Sequence, residues 1–290
     1  MKEFHSIVIS GGSMKAISVI GILKYLEDVN RIDPIKNYVA TSAGTIMSFL
    51  IVLNYKADEI VKFLLDNLYD DEINTFEIDE LFNILSEYGL SKGTNLITFL
   101  QRALYNKLKV NDIDFITLSK ITGKNFVVCI ANLTQGRSEF YNVDNTPTLS
   151  VITAIRISCS LPFILTPMSV NGDICIDGGY FNNFPIDYFK DDTLKDILGI
   201  NIKCATCRKA DTFIKYISLL MNALVDKANS KSINDKDRNI ITIDFQDESL
   251  INFTNMKLNF PKEKMKEYIK SGYDAIKNQL SFLEIVSLAN

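Results

Sequence analysis

Along the 290-residue chain, short and almost wholly apolar runs alternate with segments whose apolar residues return every three or four positions. The runs Phe4–Ser10, Tyr38–Thr41, Asn125–Asn132, Asp196–Lys203 and Ile240–Phe245 predict buried strands, since a strand covered on both faces has no polar side to show. Helical spacing follows several of them. Ile17, Ile20, Leu23 and Leu26 predict a helix from Met14 to about Asn30, and the same period predicts helices over Ala43–Tyr55, Ala57–Leu68, Thr94–Leu108, Leu149–Ser160 and Thr212–Ala228, with a last one after Pro261. Gly136–Tyr141 reads as the antiparallel partner of Asn125–Asn132. Met168–Val170 and Asp173–Ile176 read as a hairpin, because Asn171-Gly172 supplies the two left-handed residues of a tight turn. Between them, Leu161–Pro167 is an extended segment pinned by two prolines.

Strands alternating with helices from end to end predict an α/β fold, a three-layer α/β/α sandwich with a mostly parallel central sheet. There is no linker, repeat or low-complexity tract, so a single domain over residues 1–290 is expected. Its motif-bearing core covers about residues 5–205, and residues 206–290 are less clearly patterned. The stretch Asp70–Gly93 departs from the alternation. It is acidic yet punctuated by Ile73, Phe76, Leu81, Phe82 and Tyr88, and reads either as a solvated amphipathic helix with an irregular lead-in or as a cover over an apolar site.

Composition narrows the classes. At 47% hydrophobic and 23% charged, the chain is globular and large enough for a substantial core. A net charge of −4 argues against a nucleic-acid-binding surface, which needs a basic face. The longest apolar stretch, Ile46–Leu53, is broken by Ser48 and falls short of the roughly 20 residues of a membrane span. Ile7-Val8-Ile9 is too short for a signal-peptide core. A cytoplasmic protein, at most peripheral to a membrane, is expected. Five scattered cysteines, Cys129, Cys159, Cys175, Cys204 and Cys207, read as reduced thiols. Cys204 and Cys207 have CxxC spacing, but no second cysteine pair or histidine completes a zinc set.

The chemistry concentrates in three turns. In Tyr38–Met47 an apolar strand ends on Ser42, flanked by small residues, and a helix starts at once, the layout of a nucleophile elbow as well as of an ordinary strand–helix connection. His5 is the only histidine and precedes the first strand, the wrong side of Ser42 for a serine–acid–histidine order, so a nucleophilic Ser42 needs another base. Ser10-Gly11-Gly12-Ser13 breaks the first strand just before a helix and places N–H groups there. Neither GxxxxGK[ST] nor GxGxxG is present, which leaves an oxyanion site built on Gly11 and Gly12, or a plain tight turn. Asp177 closes a strand ahead of Gly178-Gly179. Strand ends of a parallel sheet share one edge, so the three turns can meet and supply nucleophile, base and anion acceptor.

That constellation resembles the patatin-like phospholipase family, in order from about Ile7 to Pro185. Ser10–Ala16, with Gly21 and Leu23–Glu27, is similar to the family's glycine-rich oxyanion block, and Val39–Gly44 to its GTSAG elbow. Leu118–Leu133 resembles the segment before its middle strand, Ala154–Phe163 its helix-into-proline stretch, and Asp177–Pro185 its DGG-x-x-N-N-x-P block. The resemblance implies a lipid acyl hydrolase of phospholipase A or lysophospholipase type. Ser42 would be the nucleophile and Asp177 the base, with the N–H groups of Gly11, Gly12 and Ser13 forming the oxyanion hole. It further implies a phospholipid or other acyl-lipid substrate met at a membrane surface, with no cofactor and no metal. Lys15 stands at a basic position of the family, a candidate for charge placement or head-group contact, or else a solvated helix lysine. Ser13, Ala16 and Ala40 replace glycines and add side chains where backbones pass closely. They motivate the alternative of a catalytically silent protein that binds lipid or a partner through the same cleft. A hydrolase or transferase of small soluble esters is a third reading.

Overall fold

The computed structural model describes residues 3–68, 86–189, 196–204, 239–245 and 261–289, with 216, 219 and 223. In chain order the elements are β1 (Ser6–Ile9), a 3-10 segment (Ser13–Ile17), α1 (Ser18–Asp28), β2 (Asn37–Thr41), α2 (Ala43–Val52), α3 (Ala57–Leu68), β3 (Gly89–Ser91), α4 (Thr94–Leu108) and α5 (Phe115–Thr122). Then follow β4 (Asn125–Asn132), β5 (Arg137–Tyr141), α6 (Val151–Ser158), β6 (Phe163–Leu165), β7 (Met168–Val170), β8 (Asp173–Asp177), α7 (Gly179–Asn182), a second 3-10 segment (Ile186–Tyr188), β9 (Ile197–Cys204), β10 (Asn239–Phe245) and α8 (Lys262–Ala289).

Among the described residues, eight strands form one sheet in the order β10-β9-β1-β2-β4-β8-β7, with β5 also on β4. β10, β9, β1, β2 and β4 are mutually parallel, β5 and β8 are antiparallel to β4, and β7 is antiparallel to β8, so the sheet is mixed around a parallel centre. Its inner strands are apolar at every position because both faces are covered. On one face Ile7, Ile9, Tyr38, Ala40, Phe126, Val128 and Ile130 join the larger core, which includes Ile20, Leu23, Phe49, Leu50 and Ile155 from the helices. On the other, Val8, Val39 and Val127 pack with Phe184, Ile186 and Ile197.

The local expectations hold where turn chemistry is explicit. The β7–β8 hairpin turns at Asn171 (φ 52°) and Gly172 (φ 90°). α6 begins at Ser150, whose side chain accepts from Thr153 N–H. The helix predicted from Met14 divides into a 3-10 segment and α1. α5 is too short for periodicity to reveal, yet carries caps readable in the sequence: Asp114 accepts from Thr117 N–H, and Gly123 ends the helix at φ 66°. The predicted extension Leu161–Pro167 contains β6, which pairs with β3 in a separate two-stranded ladder. Most of Asp70–Gly93 and the predicted helix Thr212–Ala228 lie outside the described residues, apart from 86–93 and three single positions.

The C-terminal α8 returns to pack against α1, where glycines allow backbone contact. A Cβ at Gly21 would run into Ile269 O, and one at Gly272 into Ser18 O. This crossing backs α1 against the chain's far end just after the Gly11–Ser13 turn.

Candidate active site

β2 carries Tyr38, Val39, Ala40 and Thr41 fully buried to the sheet edge, where Ser42 turns the chain into α2 with φ 51° and ψ −131°. A non-glycine residue in that region costs on the order of 1–3 kcal/mol and persists only where neighbours impose it. Here they do. Ser42 N–H donates to Ser158 Oγ (2.9 Å), and Ser158 Oγ–H donates to the β4 carbonyl of Cys129 (2.6 Å). Ser42 O accepts from both Thr45 N–H (2.8 Å) and Thr45 Oγ–H (2.5 Å). Two residues on, α2 passes so close to β1 that a Cβ at Gly44 would lie 2.6 Å from Ser10 O. Glycine is required there, whereas the Ala40 methyl is absorbed into the core and Ala16 is likewise buried.

Asp177 reaches Ser42 by a route that the parallel-edge expectation does not describe. β4 pairs with β2 through Asn125–Cys129, with β5 through Val128–Asn132, and with β8 through Ile130–Asn132. β5 therefore occupies one edge of β4, and β2 and β8 lie end to end along the other. β2 stops at the rung of Cys129, and the antiparallel β8 stops at the next rung, opposite Ile130. The serine and the acid are brought together by two strand ends meeting head-on, which corrects the picture of parallel strands sharing an edge.

Ser42 Oγ–H donates to Asp177 Oδ2 at 2.6 Å, and Gly179 N–H donates to Oδ1 at 2.8 Å. Asp177 N–H is held by Ser160 O (3.0 Å). The side chain is 6% exposed. Burial pushes its carboxyl up to about 6, although the Ser42 hydroxyl and Gly179 N–H pull the other way. Beside it, Cys159 Sγ lies 3.9 Å from Thr45 Oγ, and burial pushes that thiol far up, so it stays protonated. His5 sits at the opposite end of β1, where its carbonyl accepts from Lys36 and Asn37 N–H. It is roughly 16 Å of strand rise from the Ser10 turn.

The glycine turn is in place beside Ser42, since a Cβ at Gly11 would lie 3.2 Å from Ser42 Cβ. Gly11 N–H, however, donates to Asn183 O (3.1 Å). That hydrogen bond engages the Gly11 N–H, so the expectation that Gly11 offers an open donor is corrected. Ser13 adopts φ 51°, the left-handed backbone that favours the glycine it replaces. Ser13→Gly is expected to raise stability by about 0.5–1 kcal/mol, read from the urea midpoint; an equal loss would show that the serine side chain is needed. Lys15 is buried at 2% exposure, with Nζ 5.8 Å from the Phe245 ring centre. It is not a solvated helix lysine. Cys204 ends β9, and Cys207 lies outside the described residues. Ser158 and Asn183 escaped the site set drawn from sequence, although both lie inside matched blocks. A serine or asparagine there carries no signal of what it touches.

Fold and site together define an α/β protein whose strand–helix elbow pairs a serine with a buried carboxylate instead of a histidine. The family model for patatin-like phospholipase matches residues 7–190, and the chain belongs to that family. It is 28% identical over 298 residues to the uncharacterized protein R571 of Acanthamoeba polyphaga mimivirus, covering 96% of this chain and 94% of that one. It is 30% identical over 188 residues to the probable lipid hydrolase 463L of Invertebrate iridescent virus 6, covering 64% of this chain and 63% of that protein. The crystal structure of VipD from Legionella pneumophila shares the fold, with a TM-score of 0.60 at 17% identity over 96% of this chain and 67% of that one.

Proposed function

We propose that the protein is a lipid acyl hydrolase that cleaves fatty-acyl esters of phospholipids with a Ser42–Asp177 dyad. The observation that carries this reading is the 2.6 Å hydrogen bond from a strained elbow serine to a buried carboxylate. Family membership and the lipid-hydrolase name of the iridescent-virus relative agree with it. Asp177 takes the Ser42 proton as Oγ attacks the ester carbonyl, and the tetrahedral oxyanion is received by Gly12 and Ser13 N–H. Collapse of the intermediate breaks the ester C–O bond. Asp177 returns the proton to the leaving alkoxide, and an acyl-Ser42 ester remains. Water then attacks, its proton passing through Asp177 to Ser42 Oγ, and the fatty acid leaves. No metal enters these steps, so turnover is expected to survive calcium chelation.

No helix among the described residues is long and apolar enough to cross a membrane. The reading has its acyl-lipid substrate presented at a membrane or micelle surface. Incubation with a phospholipid carrying different chains at its two positions, followed by mass spectrometry of released fatty acids, tests the reaction and names the position cut. Labelling of Ser42 by a fluorophosphonate separates an enzyme from a silent lipid binder, and comparison of monomeric with micellar esters separates lipids from small soluble substrates.

The base must be ionised to act. With the Asp177 carboxyl at about 6, kcat/KM is expected to rise through that pH and then level off, measured as initial rates on a monomeric ester. A profile already flat at about pH 5 would put the carboxyl back at its ordinary value, and a profile with no acidic limb at all would remove Asp177 as the base.

A further inference from the structure

We propose that Asn183 is a positioning residue that sets the oxyanion-binding face of the Gly11–Gly12 peptide, an inference that rests on the hydrolase reading above. Asn183 holds Gly11 from both sides. Its main-chain carbonyl accepts Gly11 N–H (3.1 Å), and its side-chain Nδ2 donates to Gly11 O (3.3 Å). Ser10 Oγ–H donates to the same carbonyl (3.0 Å) while accepting Ile202 N–H from β9 (2.8 Å). Gly11 O is thus fixed by two donors, one of them tied to the sheet.

The peptide bond is trans, so the Gly12 N–H points opposite to the Gly11 carbonyl. Fastening that carbonyl to Asn183 and Ser10 therefore sets the direction of the Gly12 N–H. Glycines on both sides of a peptide leave its plane free to rotate. A flipped plane would exchange the N–H for a carbonyl oxygen, a repulsive partner for a developing oxyanion, and the turn lies against Ser42. The clasp removes that alternative. It also couples the acid to the oxyanion turn through one short stretch. Asp177 ends β8, α7 follows, Asn182 O accepts Thr41 Oγ–H (3.0 Å) from the elbow strand, and Asn183 grips Gly11. The Asn-Asn pair after Asp-Gly-Gly is thereby assigned a role, one residue on the nucleophile's strand and the next on the oxyanion turn.

Asn183→Leu keeps the side chain's approximate size and the main-chain bond while removing the Nδ2 donor without adding a charge beside Asp177. Ser10→Ala removes the second donor and serves as an independent variant. With a monomeric ester, Asn183→Leu is expected to lose about 10²–10³-fold in kcat, as for a lost oxyanion donor, with KM and the pH midpoint near 6 retained because no charge is added beside Asp177. Affinity for an alkyl trifluoromethyl ketone, which forms a tetrahedral adduct with Ser42, is expected to fall in proportion to kcat/KM. Ser10→Ala should move both quantities the same way by less. Loss of kcat with unchanged inhibitor affinity, or full activity in both variants, overturns the positioning role. A wild-type protein that neither hydrolyses the ester nor captures the ketone overturns the hydrolase reading, and this inference with it.

Discussion

Asp177→Asn is expected to abolish ester hydrolysis and, at neutral pH, to make the folded protein more stable. The catalytic half follows from the single hydrogen bond between Ser42 Oγ and Asp177 Oδ2. An amide cannot take the serine proton, and the only histidine lies at the far end of β1. Loss of a positioned general base costs about 10²–10⁴-fold, and the upper end is expected here because no histidine is at hand to replace it. Ser42→Ala should be at least as severe, since it removes the nucleophile itself.

The stability half follows from burial. The folded-state carboxyl is pushed up to about 6 from 3.8, so between those values the native state binds more protons than the unfolded chain. Stability then falls as pH rises through that window, and above it the folded protein carries the full cost of an ionised buried carboxylate, about 3 kcal/mol. Asparagine avoids that cost and can keep the Gly179 contact through Oδ1. Urea unfolding of both proteins from about pH 4 to pH 8 checks it. The stability gap should open between about 4 and 6 and stay constant above, and a variant less stable than wild type at pH 7 would contradict the electrostatic account. On the proposed mechanism, the ionised carboxylate that serves as base costs native-state stability.

Gly272→Ala and Gly21→Ala are each expected to destabilise the protein by roughly 2–4 kcal/mol, although alanine favours a helix over glycine by about 1 kcal/mol. In both cases the new methyl would meet backbone of the facing helix, Ser18 O or Ile269 O, which no rotamer change can move aside. α1 and α8 must then separate, and the Tyr25–Tyr273 ring contact and the Tyr273–Asp28 hydrogen bond across the crossing are lost with the packing around them. The two glycines serve one crossing, so the double variant should cost less than the sum of the singles. Thermal and urea unfolding of the three variants measures this. Additive losses, or no loss, would show that the helices do not touch through their backbones.

The strands, the Asn171-Gly172 hairpin and the elbow were legible because each is a local state. Period, turn residues and small flanking side chains act within a few positions of one another. Even α5 carried its signature in Asp114 and Gly123, though too few turns to show a period. The glycine replacements misled in part. Ala40 and Ala16 are absorbed by the core, and only Ser13 sits where the backbone is left-handed.

From sequence alone came the α/β class, the resemblance to the patatin-like family and the expectation that Ser42 and Asp177 meet, since the lone histidine before the first strand left a nucleophilic Ser42 in need of another base. Tertiary structure alone decided how they meet, which N–H groups of the glycine turn are already engaged, and that Lys15 is buried. The reason is physical. Which edge of β4 a strand takes, and how much water a carboxylate loses there, depend on residues more than a hundred positions apart, such as Ser42 and Asp177 or Gly11 and Asn183. No local pattern carries that information.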